Sequence, residues 1–306
     1  MLIDTQLTMG LASDGTLTSI EHQLSGRTEL VCPFCYTPLI AVRGRVNVHH
    51  FRHDGQTCRE SALSSSVIPG WDHFSLSLPG AIIEELMAQE SREWNPHHPR
   101  PGSMSARLER YGLLQAGYMG GSDLTDTALI VPGLLSLPRF DAWMRQKLEV
   151  RLAETRSLIL ERRIHPTHLT IEATRQHNLF SSAMYLMKLV PARGQPFYKV
   201  GRTNRDPEVR LSEVAAAMSR LLQIKTTGKI IQIIPNAGYL EKYTLWKFRN
   251  CSLSLGNYSE YLNLNPAALR TLKSGLTRVN NSRAPFTAFQ ILLTTEAGLK
   301  QIISMR

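Results

Sequence analysis

The sequence predicts an α+β fold: a small mixed or antiparallel three-stranded sheet with flanking helices, preceded by a helical middle region and a compact Cys/His-rich unit. Three observations carry this expectation. Two short strand-like runs, 183–190 and 197–201, are separated by Pro191-Ala192-Arg193-Gly194-Gln195-Pro196, a loop of ordinary hairpin length. A helical apolar pattern runs from Asp141 to Ile164 through Trp143, Leu148, Leu152, Leu158 and Ile159. Cys32-Pro33-Phe34-Cys35 and His50-Phe51-Arg52-His53 are separated by 14 residues, with Cys58 close behind.

The composition agrees with a folded chain. Of 306 residues, 42% are hydrophobic and 20% are charged, which excludes a disordered polymer and leaves room for two domains. The net charge of +10 is unevenly placed. Residues 181–306 hold 18 Lys+Arg against 6 Asp+Glu, while 1–180 hold 17 against 19. A basic half of this kind suits a polyanion, because neutralised phosphates release condensed counterions. The sequence has no run of about 18 apolar residues, so no membrane span is expected. Met1-Leu2-Ile3-Asp4 has neither the basic nor the apolar part of a signal peptide. A cytoplasmic location with reduced cysteines is the expectation, which favours metal ligation over disulfides.

Three segments are expected: an amino-terminal domain over 1–90, a middle region over 91–180 and a carboxyl-terminal domain over 181–306. The first thirty residues alternate weakly around Asp14-Gly15, a hairpin-type turn. Residues 80–91 read as a helix. The stretch 94–102 holds three prolines and reads as a linker. The helical pattern at 141–164 suggests a stalk, ended by His165-Pro166. Then come strands at 183–190 and 197–201, a helix at 207–222 and a strand at 229–234. A helix at 238–250, a short strand near 260–264 and helices near 266–274 and 285–303 complete the order.

Cys32, Cys35, His50, His53 and Cys58 are five candidates for four places on zinc. A Cys-x-x-Cys turn brings two thiolates to one ion, and a second knuckle across a hairpin supplies the rest. Gly44 is the expected hairpin turn. Four protein ligands leave no open position for water, so the zinc is expected to be structural.

Tyr185, Tyr198, Arg210 and Glu241 make a second constellation. Phosphodiester hydrolysis needs water deprotonated, phosphate charge offset and the leaving oxygen stabilised. Two phenols, a guanidinium that forks onto phosphate oxygens and a metal-holding carboxylate can serve these needs.

Both constellations resemble known families. Cys-Pro-x-Cys, the Gly-containing hairpin and His-Phe-x-His are similar to the zinc ribbon of competence-protein CoiA-like proteins, over roughly Asp14 to Leu86. In that family Glu-Ser and a later His follow, for which Glu60, Ser61 and His73 are available. Ala183-Met184-Tyr185, Tyr198-Lys199-Val200-Gly201, Arg210 and Glu241 resemble the GIY-YIG nuclease family. Tyr-Lys-Val-Gly-Arg-Thr followed by Asp-Pro-Glu-x-Arg-Leu, with Glu260-Tyr261 later, looks most like its phage- and mobile-element-associated branch.

That resemblance implies a metal-dependent DNA endonuclease, with a setting in defence or mobile-element biology. Tyr185 or Tyr198 would activate water, Arg210 would hold the scissile phosphate and Glu241 would hold Mg²⁺ or Mn²⁺. Lys199, Arg202 and Arg205 would contact DNA, and Gly201 would end its strand where bulk would block the site. Many members carry a His where this chain has Val214 or Leu245. The alternative is a nucleic-acid-binding protein that keeps the nuclease fold without catalysis.

Overall fold

The structure is a computed structural model describing residues 7–43, 49–58, 80–88, 108–116, 122–255 and 258–304. The expected Gly44 turn, the proline-rich stretch 94–102 and Glu60, Ser61 and His73 lie outside these residues. The α+β class holds, with antiparallel sheets and helices packed on them.

The amino-terminal unit is an antiparallel sheet of β1 (Met9–Leu11), β2 (Leu17–Ser19), β3 (Gly26–Val31), β4 (Pro38–Val42) and β5 (His50–His53), in the order β2-β1-β3-β4-β5. Asp14 and Gly15 make the β1–β2 turn as expected. Gly15 takes φ +82°, and Asp14 Oδ1 accepts from the Thr16 amide at 2.9 Å. A 3-10 turn, Ile20–His22, follows β2. Alternation sends Leu30, Leu39, Ala41 and Phe51 into a small core with Ile20 and Cys32.

The middle region begins with α1 (Gly80–Ala88), which buries Ile82 and Leu86. The ribbon of β6 (Leu114–Ala116) and β7 (Ser122–Leu124) follows, then α2 (Asp126–Ile130), α3 (Leu137–Leu160) and α4 (Thr167–Phe180). The helix expected at 141–164 therefore exists but is not a stalk. Phe140, Met144, Leu148 and Leu152 are buried in the same core as the carboxyl-terminal elements. Phe140 stacks on Tyr243 with ring centroids 4.0 Å apart. Tyr239 donates to Asp141 at 2.8 Å, and Arg145 donates to the Ala284 and Pro285 carbonyls at 2.7 Å each. An apolar stripe is equally what a core helix shows, so periodicity alone does not separate a core helix from a stalk.

The carboxyl-terminal sheet is built from β8 (Ala183–Pro191), β9 (Phe197–Thr203), β10 (Thr226–Ile234), β11 (Ser252–Leu255) and β12 (Tyr258–Leu262). Its order is β10-β8-β9-β12-β11, antiparallel throughout. The expected strands at 183–190, 197–201 and 229–234 are β8, β9 and β10, with β10 at one edge. The expected short strand near 260–264 is β12, and β11, which the sequence did not suggest, makes the sheet five-stranded. The flanking helices are α5 (Pro207–Leu222), α6 (Leu240–Lys247), α7 (Pro266–Ser282), α8 (Ala288–Leu292) and α9 (Glu296–Ser304). Asp206 caps α5 by accepting from the Glu208 amide at 2.8 Å, and Pro207 opens it.

Register decides which residues share a face. Tyr185 pairs with Gly201, and Met187 pairs with Lys199. Tyr185, Lys199 and Gly201 therefore share one face with Leu189 and Phe197, which α5 covers with Val214 and Met218. Met184, Leu186, Tyr198 and Val200 take the other face and enter the main core.

Candidate functional site

Cys32, Cys35, His53 and Cys58 converge, each offering a ligand atom within 4.8 Å of the others. Cys32 Sγ lies 3.9 Å from Cys58 Sγ, and Cys35 Sγ lies 3.2 Å from His53 Nε2. Ligands about 2.3 Å from a tetrahedral zinc sit a little under 4 Å from one another, so the spacing fits. Three thiols and an imidazole can thus hold a metal such as zinc. The knuckle is a tight turn: the Tyr36 amide donates to the Cys32 carbonyl at 2.9 Å, and Tyr36 takes φ +59°.

His50 is the candidate left out. His50 and His53 lie three apart on a strand, so they point to opposite faces. His53 goes inward beside Phe51, and His50 does not. Burial pushes the Cys32 thiol up to about 12. At Cys35 burial is outweighed by hydrogen bonding at Thr37, Cys32 and His53, which brings the thiol down to about 6. A metal would draw the thiols into the thiolate form together.

The second constellation gathers at one end of the carboxyl-terminal sheet. Tyr185 is buried, and its phenol lies over Gly201. Any Cβ at Gly201 would overlap that ring, so glycine is required by close approach. Arg210, from the first turns of α5, lies beside the Tyr185 phenol. Burial still pushes that phenol up to about 12, with the Glu241 and Glu260 charges adding to it and Arg210 opposing it. Tyr185 is therefore a neutral phenol at ordinary pH.

Glu241 sits in the first turn of α6, buried, with Arg202 Nε 3.4 Å away. Burial raises its pKa despite the opposing charges of Arg202, Lys242 and Lys199. Glu260 of β12 is half-exposed and ion-paired with Lys199. Burial disfavours the Glu260 carboxylate, but Lys199, Lys242 and Arg210 outweigh that and lower its pKa.

Two expectations are corrected here. Tyr198 does not join the group, because strand alternation turns it into the main core on the face opposite Tyr185. Its neighbour Lys199 takes the place beside Gly201. Lys199 is 3% exposed, paired with Glu260 and set 4.7 Å from the Tyr261 ring centroid, which does not present it as an open phosphate contact. Arg205 forks onto both oxygens of Glu213 at 2.9 Å, and Arg210 shares that carboxylate at 2.9 Å. Glu213 thus positions two arginines, a role the sequence reading did not assign. Val214 packs in the core beneath α5, and Leu245 is partly buried.

A polar cleft of about 220 Å³ opens at Glu241. Arg202, Lys242 and Glu260 line it from the carboxyl-terminal sheet and α6, and Arg175 and Asn178 line it from α4. Burial disfavours the Glu172 carboxylate beside Arg175, yet Arg151 at 3.0 Å and Arg175 at 3.6 Å hold it ionised, with a lowered pKa.

No family model, curated protein or solved structure matches this chain. Among the described residues, no helix is long and apolar enough to cross a membrane.

Proposed function

We propose that this chain is a metal-dependent DNA endonuclease that hydrolyses phosphodiester bonds. The observation that carries the reading is Arg210 set beside the Tyr185 phenol over Gly201, with the Glu241 and Glu260 carboxylates near enough to act on that phenol electrostatically. The strongly basic balance of residues 181–306 supports the same partner.

In this reading Arg210 binds a non-bridging phosphate oxygen, held in position by Glu213. Tyr185 donates a hydrogen bond to the phosphate, since a neutral phenol is a donor and a poor base. Glu241, with Glu260 beside the same cleft, would hold Mg²⁺ or Mn²⁺, for which an all-oxygen donor set is suitable. The ion, when bound, offsets negative charge on the phosphate and the leaving oxygen. Arg202 must then exchange its carboxylate partner for the substrate. The amino-terminal metal is read as structural zinc, since four protein ligands close its coordination shell.

Purified protein with Mg²⁺ or Mn²⁺ should cut DNA, supplied both as single strands and as supercoiled plasmid, and Glu241→Ala and Arg210→Ala should abolish this while circular dichroism stays unchanged. Cutting that survives both changes sinks the reading. A second reading, nucleic-acid binding without catalysis, draws on the pairing of Glu241 with Arg202 and of Glu260 with Lys199. Salt-dependent DNA affinity with no cleavage under either metal selects it.

A further inference from the structure

The cleft at Glu241 has a second wall, and it comes from the amino-terminal unit. Thr8, Ser19 and His22 line the cleft together with Arg202, Glu241 and Lys242. His22 ends the 3-10 turn after β2 and is exposed. The amino-terminal sheet is fixed to α4 at two places. Phe34 of the metal knuckle packs on His168, with ring centroids 4.7 Å apart, and on His165 at 6.2 Å. Strand β2 packs against the same helix, whose later residues Arg175 and Asn178 line the cleft. The second wall keeps its own small core and meets α4 at these two places.

We propose that the cleft takes one nucleic-acid strand between these two walls, and that His22 contacts its phosphodiester backbone. The proposal rests on the nucleic-acid reading above and narrows it to single-stranded substrate.

The size and the lining of the cleft lead there. A cleft of about 220 Å³ with walls on both sides admits a strand. A duplex, whose major groove alone is about 12 Å wide, is read by protein elements that enter it rather than by walls that enclose it. The lining supplies three cations, Arg175, Arg202 and Lys242, against the carboxylates Glu241 and Glu260, and a basic groove is what tracks the backbone in single-strand sites. Among its described lining residues there is no Phe, Tyr or Trp, so the contact is with backbone rather than stacked bases. Ser19 and Thr8 add hydroxyls of the kind that position phosphates. His22 brings an imidazole to a cleft that receives none from the carboxyl-terminal elements, where Val214 and Leu245 are core residues.

The test is fluorescence anisotropy on the full chain, with a labelled 15-nucleotide DNA single strand and a blunt duplex of the same sequence. The wild-type chain should bind the single strand about tenfold tighter than the duplex, or better. His22→Ala should weaken single-strand binding by about tenfold, the loss of one hydrogen bond to a charged group. His22→Gln, which keeps a donor, should recover most of it. Leu24→Ala is the control, because Leu24 is 88% exposed and is not among the cleft's lining residues. Equal or tighter duplex binding overturns the proposal, as does an unchanged affinity in His22→Ala. Cleavage by Glu241→Gln is scored separately. Survival of cleavage there defeats the endonuclease reading, while anisotropy still decides the two-walled cleft.

Discussion

Cys32 and Cys58 meet across 26 positions of chain, whereas Tyr185, Arg210, Glu241 and Glu260 are drawn from a strand, two helices and the last hairpin. The first group brings three thiols and an imidazole within ligand distance of one another, a set that can hold a metal such as zinc. In the second group every acid already has a basic partner: Arg202 for Glu241, Lys199 for Glu260, and Arg205 with Arg210 for Glu213. A metal held there would tie the Cys32 turn, β5 and Cys58 together, and its binding energy would add to folding. The carboxyl-terminal acids are partnered within the fold, and the nuclease reading requires Arg202 to release Glu241.

Metal removal should separate the two regions most sharply. Structural zinc contributes roughly 10–16 kcal/mol to small metal-organised folds. Cys32→Ser or a strong chelator should unfold residues 7–58 while the carboxyl-terminal core persists, read by metal content and limited proteolysis. His50→Ala should retain the metal, and its loss there would break the assignment of ligands.

Next in size is Gly201→Ala. The added methyl overlaps the Tyr185 ring and should cost about 1–3 kcal/mol in urea unfolding. The penalty should shrink when Tyr185→Ala is combined with it, and an undiminished cost would place the strain elsewhere.

Glu241→Gln tests the exchangeable site. Burial lifts this carboxyl above its usual 4.5, so the folded chain binds more protons than the unfolded chain between that value and its own raised one. Stability from this group is present below pH 4.5 and lost as pH rises through the folded value. The variant should therefore gain stability relative to wild type on going from pH 4 to pH 8, in paired unfolding curves. A difference that stays constant with pH would refute the buried-acid picture.

The smallest effect belongs to Tyr198→Phe. Its phenol lies in the core on the far face, so cleavage should change by less than about twofold. Tyr185→Phe, by contrast, should lower the rate by about tenfold or more, having lost a donor near the phosphate.

Much of this was legible in the sequence, and two of the misses share one cause. The ligand spacing of Cys32, Cys35 and Cys58 and most of the order of strands and helices from 183 onward could be read directly, but not β11 or the break between α8 and α9. His50 against His53 and Tyr198 against Lys199 were both questions of strand parity, and spacing in a motif does not reveal it. A one-residue offset reverses the face of every side chain. The contribution of Thr8, Ser19 and His22 had no sequence signal, because only the docking of β2 on α4 brings them to Glu241. The stalk reading failed because the partners of α3, such as Tyr239, Tyr243 and Arg283, lie about a hundred residues or more along the chain.

Helix α4 carries a consequence beyond packing. The metal knuckle rests on its first turn and the cleft on its later turns. Each residue of an α-helix adds about 1.5 Å and turns the chain by about 100°. One residue inserted between Glu172 and Asn178 would rotate the cleft end a quarter turn away from the end that holds the knuckle. The helix is in effect a ruler and a protractor, and its length is constrained as tightly as any side chain it bears.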